Sequence, residues 1–541
     1  MTDTAPTTAT PDRTSPDRTS PDRTSPDRTS PDRTPLDGTA LDGAALDGTA
    51  PTITALGGPR RRLRVAIIGS GFGGVAVAAA LRRGGDAEVV LLERADRAGG
   101  VWRDNTYPGC ACDIPAPLYS YSFAPNPGWT RRFPPHGEIL DYLHRCVDEL
   151  GLADSVRLRT EVTDAEWDEA AECWRLRTAD GAELTADVLV PAVGQLSRPV
   201  VPALPGAERF AGPALHTARW DPSISLDGAR VAVIGTGASA VQLVPAIADR
   251  TARVTVFQRT PPWTLPKPNR RYGRLGRALY QRVPALMRLP RAAFWSLTVF
   301  TGLAVTGNRA AAAVLRGVSR AQRRWQVRDP ELRARVTPTE PMGCKRVLFT
   351  SDWLPTLARP DVELVTEKIV EVTEVGLRTA DGRIHPCDVL VYGTGFAATE
   401  FLAPIRVTGR AGRRLTDEWR DGAYAYLGMA VPGFPNLFLV YGPNTNTGNT
   451  SVVYFHEAQA RHIAQAVCLL AAGGPPLEVR PEVAADHDAE LQRRLASSVW
   501  TACQSWYRTA SGRVVTNWPG MADEYRRRTA RLNPADYGRT V

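Results

Sequence analysis

The chain is short of lysine. Only Lys267, Lys345 and Lys368 occur in 541 residues, so a formal net charge of +9 rests almost wholly on arginine. Taken over the whole chain, Arg is interspersed with Asp and Glu, and a nucleic-acid-binding face is not expected. Enrichment in Arg, Ala, Gly and Pro reads instead as the mark of a GC-rich coding sequence. Clustered metal ligands are missing too. The eight Cys are dispersed, and the closest pair, Cys110 and Cys112, is C-x-C with no second pair near in sequence to complete a zinc site. Long apolar runs are scarce. One uncharged run, 292–308, has 17 residues broken by Ser, Thr and Gly, at the short edge of a membrane span. A helix buried against its own domain is expected there, with surface contact with a membrane as the alternative. Residues 1–50 are polar and repetitive, so no secretory leader is expected, and free thiols in a cytoplasmic protein are. This length supports two or three domains with their own cores.

What is present falls into blocks. Residues 11–50 are eight pentads of the PDRTS and LDGTA types. Such a composition cannot bury enough apolar surface to offset the entropy of ordering, so 1–60 is expected to be a disordered tail. Residues 64–68 then form an apolar strand that enters the turn Gly69-Ser70-Gly71-Phe72-Gly73-Gly74, followed by an Ala-rich helix and a second strand ending at Glu93. The plan repeats at 230–257, around Gly235-Thr236-Gly237-Ala238-Ser239-Ala240. Two βαβ units predict an α/β chain with two Rossmann-like domains. A strand near 386–391 leads to a further turn at Gly393, so the second nucleotide domain is expected to be inserted in the first: 61–195, then 196–389 with a helical, Arg-rich insertion at about 272–335, then a return over 390–541.

The two turns differ where the ligand would be read. In the first, Gly69 permits the tight turn, Gly71 lets the backbone approach a pyrophosphate, and Gly74 lets the helix pack on the strand. Free N–H groups at the helix start favour phosphate oxygens. Glu93, nineteen residues after Gly74, can accept both hydroxyls of a ribose, which suits FAD. The second turn has Gly235, Gly237 and Ala240, with no acid at the end of its second strand. Arg259 and Thr260 stand there instead, offering a guanidinium and a hydroxyl to a 2′-phosphate, with Lys345 as a second partner. NADPH is expected over NADH.

Between the turns, residues 210–221 read F-x-G-x-x-x-H-x-x-x-W-D, with Phe210, Gly212, His216, Trp220 and Asp221 at the specified positions. This resembles the fingerprint of the type I Baeyer–Villiger monooxygenases. Gly99-Gly100-Val101-Trp102 through Tyr107-Pro108-Gly109 to Asp113 resembles that family's second signature, and Phe257 to Pro262 its NADP loop. Cys503-Gln504-Ser505-Trp506-Tyr507 resembles its mobile C-terminal loop.

The resemblance covers about 63–525 and implies a chemistry. NADPH reduces FAD, reduced flavin traps dioxygen as a C4a-peroxide, and one oxygen is inserted next to a ketone carbonyl to give an ester or lactone. By resemblance, Arg346 is the cation beside that oxygen and Asp113 its carboxylate partner; an Arg cannot donate its proton, so its role is electrostatic. A structural ion pair is the bland alternative. Gly100, Trp102, Tyr119, Val162 and Gln195 are carried over as flavin-side positions, Gly235, Thr236, Gly237, Ser239 and Ala240 as NADP-side ones, and Trp506 as a residue closing over NADP. His216 is expected to hold loops in register rather than act as a base. Trp353-Leu354, in place of a more usual aromatic pair, are expected to alter the substrate pocket, and the loop 442–449 to pass the flavin. An N- or S-oxygenating flavin monooxygenase, or a flavin-dependent reductase, remains open on the same fold.

Overall fold

The apolar run that precedes the first Gly turn becomes the strand Leu63–Ile68, with five of its six residues buried. It lies between two parallel partners, Ala87–Leu92 and Val188–Pro191, and Val156–Arg157 completes a four-stranded sheet. A strand covered on both faces needs an apolar run, which 65–68 supplies after the exposed Arg64. The computed structural model describes residues 61–538 apart from 449. The expected tail over 1–60 lies outside the described residues.

The second sheet has five parallel strands in the order Val362–Val365, Arg253–Phe257, Arg230–Ile234, Val389–Tyr392, Ala214–His216. After it the chain returns to the first sheet. Arg406–Thr408 pairs with Val162–Asp168 in a separate four-stranded sheet, and Phe438 N donates to Leu189 O of the first at 3.0 Å. The helix Phe72–Gly84, small and apolar along its length, packs between the first sheet and the 20-residue helix Val452–Ala471.

The insertion consists of the helices Arg274–Arg282, Arg288–Val305, Arg309–Gln326 and Pro330–Arg335. Two expectations change here. The helix expected to be buried is covered on one side only: Phe294 and Trp295 pack inward, while Leu289 and Leu297 are exposed. The interspersion of Arg with acid also fails locally, since no Asp or Glu occurs from 250 to 328. No helix among the described residues is long and apolar enough to cross a membrane.

Not all thiols are free. Cys344 and Cys503, 159 residues apart, form a disulfide with Cα atoms 6.1 Å apart. The other six Cys lie outside this disulfide, and five of them are buried.

Candidate active site

Both Gly turns are built by close backbone approach. Gly69 has φ +102°, and a Cβ there would stand 2.8 Å from Ala192 O. At Gly74 a Cβ would stand 2.0 Å from Gly69 O, so only glycine lets the helix begin this close to the strand. The helices starting after Gly71 and Gly237 have no side-chain cap, which leaves their first N–H groups to a ligand.

The turns open on one cavity of about 1770 Å³. Every residue expected at the cofactor sites lines it except Gly74 and Ala240, which pack helix against strand. Five buried polar atoms of its wall have no partner among the described residues: Gln195 Oε1, Gln258 Oε1, Thr450 Oγ1, His456 Nδ1 and Ser505 Oγ. Gln195 is held in place by its own amide, which donates to Tyr441 O at 3.0 Å and Gly442 O at 3.3 Å. A buried orphan atom costs roughly 1–3 kcal/mol unless something fills the wall, so this donor set and the uncapped helix starts fit two large polar cofactors.

Glu93 is not waiting for a ribose alone. Its carboxylate accepts from Ser70 N at 3.1 Å, Ser70 Oγ at 2.7 Å, Ala95 N at 3.0 Å and Arg103 Nη1 at 2.8 Å. Burial works to raise its pKa, but Arg103, Ser70 and Ala95 outweigh that and hold it below the ordinary carboxylate value. With four protein donors in place, a ribose hydroxyl must share or displace one. Arg103 is itself buried and pairs with Asp104 as well. Nothing local in the sequence marks Arg103; its role appears only when the helix Val101–Asp104 swings it onto Glu93.

Arg346 and Asp113, 233 positions apart, meet as a bidentate pair, Nε to Oδ2 at 2.9 Å and Nη2 to Oδ1 at 2.8 Å. Asp113 raises the guanidinium further above its ordinary range, against burial. Tyr507 and Tyr441 stand close; burial pushes the Tyr507 phenol up to about 12 and raises Tyr441 as well. Lys267 faces Asp113 from below, over the Phe133 ring at 5.1 Å, with its pKa lowered by burial against the pull of Asp113. Phe72 and Trp102 meet Tyr119 edge-on, and Trp102 Nε1 donates to Tyr119 Oη at 3.1 Å, fixing the wall beside the first turn.

At the second turn Arg259 is exposed and, among the described residues, makes no ion pair. Lys345 differs: Nζ donates to Thr260 Oγ1 at 2.9 Å and pairs with Glu340 at 2.8 Å. Trp506 lines the cavity from the loop that Cys503 ties to Cys344, the residue before Lys345. Trp353 and Leu354 do not line it. They are buried in the core of the second sheet, so the expected effect on the pocket falls away. Of the loop 442–449, Asn446 and Thr447 reach the cavity, and Asn449 lies outside the described residues.

None of 210–221 lines the cavity. Gly212 is required because a Cβ would stand 2.3 Å from Asp388 O. His216 pairs with Tyr392 in the sheet, accepts at Nδ1 from Ala218 N at 3.0 Å, and meets the Phe396 ring edge-on at 6.0 Å. Burial lowers its pKa, against a bond to the Gly395 backbone, so the ring is neutral. Asp221 caps a turn through Ser223, and Trp220 packs on the second core. The segment stitches the strand Ala214–His216 to the return turn at Gly393.

Comparison with known proteins agrees with this geometry. Residues 63–273 match the pyridine nucleotide-disulphide oxidoreductase family. The chain is 42% identical over 479 residues to a Baeyer–Villiger monooxygenase of Streptomyces coelicolor, covering 88% of this chain and 92% of that one. A steroid monooxygenase bound to NADP superposes with a TM-score of 0.77 at 31% identity, over 87% of this chain and 97% of the other. OTEMO in complex with FAD and NADP does so at 0.77 and 26% identity, with the same coverage. With its two nucleotide turns on one cavity and likeness along nearly its whole described length, the chain belongs to the Baeyer–Villiger monooxygenases.

Proposed function

We propose that this chain uses NADPH and O2 to insert one oxygen atom next to a ketone carbonyl, giving an ester or lactone. The observation that carries the reading is the bidentate Arg346–Asp113 pair in the wall of a cavity onto which both nucleotide turns open. FAD is held at the first turn, by Gly69, Gly71, Phe72 and the start of the helix Phe72–Gly84, and NADPH at the second, with Arg259 free for the 2′-phosphate. The FAD portion comprises 61–195 and 390–541, and the NADP portion 196–389. When bound, FAD and NADPH supply the electrons and activate the oxygen.

The chain's own residues supply position and charge. Asp113 fixes the plane and direction of the guanidinium, and Arg346 offers a permanent positive charge to oxygen atoms that become negative in the reaction. Gln195 directs its free Oε1 to the centre, and Trp506 covers the NADP side. A second cavity of about 40 Å³ adjoins the pair, walled by Leu265, Ala304, Ala312, Leu315, Met342 and Phe349. It takes an apolar part of the ketone. The five buried thiols outside the disulfide suit a cytoplasmic location.

Incubating the flavin-loaded enzyme with NADPH, air and a panel of cyclic, linear and aromatic ketones, beside a panel of thioethers and amines, tests this. Esters or lactones from ketones are expected. Sulfoxides or N-oxides with no ester from any ketone would overturn it in favour of the N- or S-oxygenating reading, and NADPH turnover that persists without oxygen in favour of a reductase.

A further inference from the structure

Between Asp249 and Asp329 the chain has 17 Lys and Arg and no acid. Taking these from the chain's 66 basic residues leaves 49 against 57 acidic ones, so the positive charge of the whole protein is the property of this one segment. Eleven of the 17 are the Arg residues from 274 to 328, and among the described residues none of them makes an ion pair, although Arg–carboxylate pairs are common over the rest of the fold.

The same helices hold most of the exposed apolar bulk. Of sixteen large hydrophobic residues exposed among the described ones, nine lie between 275 and 325. Leu275 is 88% exposed, Leu289 69% and Trp325 82%. The helix Arg274–Arg282 buries no residue at all. The helix Arg309–Gln326 shows three separate stripes. Ala311, Leu315, Ser319 and Gln322 are buried against the protein. Val314, Val318, Ala321 and Trp325, at i, i+4, i+7 and i+11, form an exposed apolar stripe. Arg316, Arg320 and Arg324, at i, i+4 and i+8, flank it on the exposed side.

We propose that the outer face of this insertion docks on an anionic lipid bilayer, lying in its surface with Leu275, Leu289 and Trp325 among the acyl chains and the Arg stripe at the phosphates. An apolar stripe edged by Arg is what a helix lying in the headgroup layer requires, since Arg stems cover apolar surface while the guanidinium reaches the phosphate. The charge is complementary to an anionic membrane and not to a second copy, which would bring two acid-free faces together. Nucleic acid would use the Arg but gain nothing from exposed Leu. The inner faces of Arg288–Val305 and Arg309–Gln326 supply Ala304, Ala312 and Leu315 to the small cavity beside Arg346, so the docked face backs directly onto the site. The docking itself does not depend on the reaction assigned above.

Flotation of the full-length, flavin-loaded protein tests it, with vesicles of phosphatidylcholine alone and of phosphatidylcholine with phosphatidylglycerol. The protein is expected to float with the anionic vesicles, to stay behind with the neutral ones, and to be released by high salt. Reversing Arg316, Arg320 and Arg324 to Glu is expected to weaken partitioning by at least about 100-fold, each basic group lost near an anionic surface being worth roughly a factor of five. The triple change Leu275→Ser, Leu289→Ser, Trp325→Ser is expected to abolish flotation while leaving flavin content and vesicle-free turnover unchanged. Failure to float with either vesicle, equal partitioning into both, or flotation that survives both triple variants would overturn the proposal. So would a dimer in sedimentation velocity that the apolar variant dissolves, because the face would then serve a second copy.

Discussion

At the residue scale, the site divides into groups whose partner is in the protein and groups whose partner is not. Asp113 has Arg346, and Glu93 has Arg103 and Ser70. Arg259 has no ion-pair partner among the described residues, although it stands on the cavity. Lys345, by contrast, is already paired with Glu340. On the function proposed, the 2′-phosphate preference therefore rests mainly on Arg259. Arg259→Ala is expected to cut the preference for NADPH over NADH by about 10- to 100-fold, the worth of one charge-assisted contact, measured as the ratio of kcat/KM for the two cofactors. An unchanged ratio would assign the reading to Lys345. Arg259 was legible because its type and its place at a strand end carry the argument. Arg103 was not, because its meaning depends on Glu93, which the fold delivers to it. A buried pair broken on one side leaves a carboxylate uncompensated at a cost of about 3–5 kcal/mol, so Arg103→Met is expected to lower both the melting temperature and the flavin retained on purification. A variant as stable and as yellow as the parent would show that Ser70 and Ala95 suffice.

At the element scale, the Gly turns were legible because strand, turn and helix are contiguous and the spacing is fixed by backbone geometry. The disulfide was not, because 159 residues separate Cys344 from Cys503 and only the fold sets them opposite one another. It ties the Trp506 loop to the segment bearing Lys345 and Arg346. Non-reducing peptide mapping is expected to recover Cys344 and Cys503 in one linked pair; two separately alkylated peptides would count against the tether. The insertion helices were legible as helices, but their outward faces were not. Counting charge over the whole chain averaged away a segment with no acid in it. Long-range packing, not local pattern, decides which apolar stripe of Arg309–Gln326 is covered. The helices near the C-terminal end add a pH dependence. Burial lowers the pKa of His487 to about 4 and of His456 to about 3. Both are neutral in the fold, whereas the unfolded chain takes up protons near pH 6.5. Their penalty is absent above that value and grows as pH falls from about 6.5 toward 4. Melting temperature is expected to drop across that window, less steeply in His487→Gln. Equal slopes would exclude His487 as a source.

At the scale of the whole molecule, two sheets each bring a Gly turn to one cavity, and the segment 210–221 joins the second sheet outside it, with Ala214–His216 beside Val389–Tyr392. The fingerprint was thus legible as a family mark, yet the chemistry we propose lies elsewhere, at a pair that two distant stretches of sequence contribute. The central claim is that Arg346 controls oxygen insertion and not flavin reduction. Arg346→Ala, flavin-loaded, should be followed in two steps: bleaching of the flavin by NADPH without oxygen, then ester formed from a ketone in air. Reduction at a rate within a few-fold of the parent, with ester formation lowered by about 100- to 1000-fold as expected for losing one fixed electrostatic contact, is the predicted result. Ester formation at the parent's rate would contradict the account.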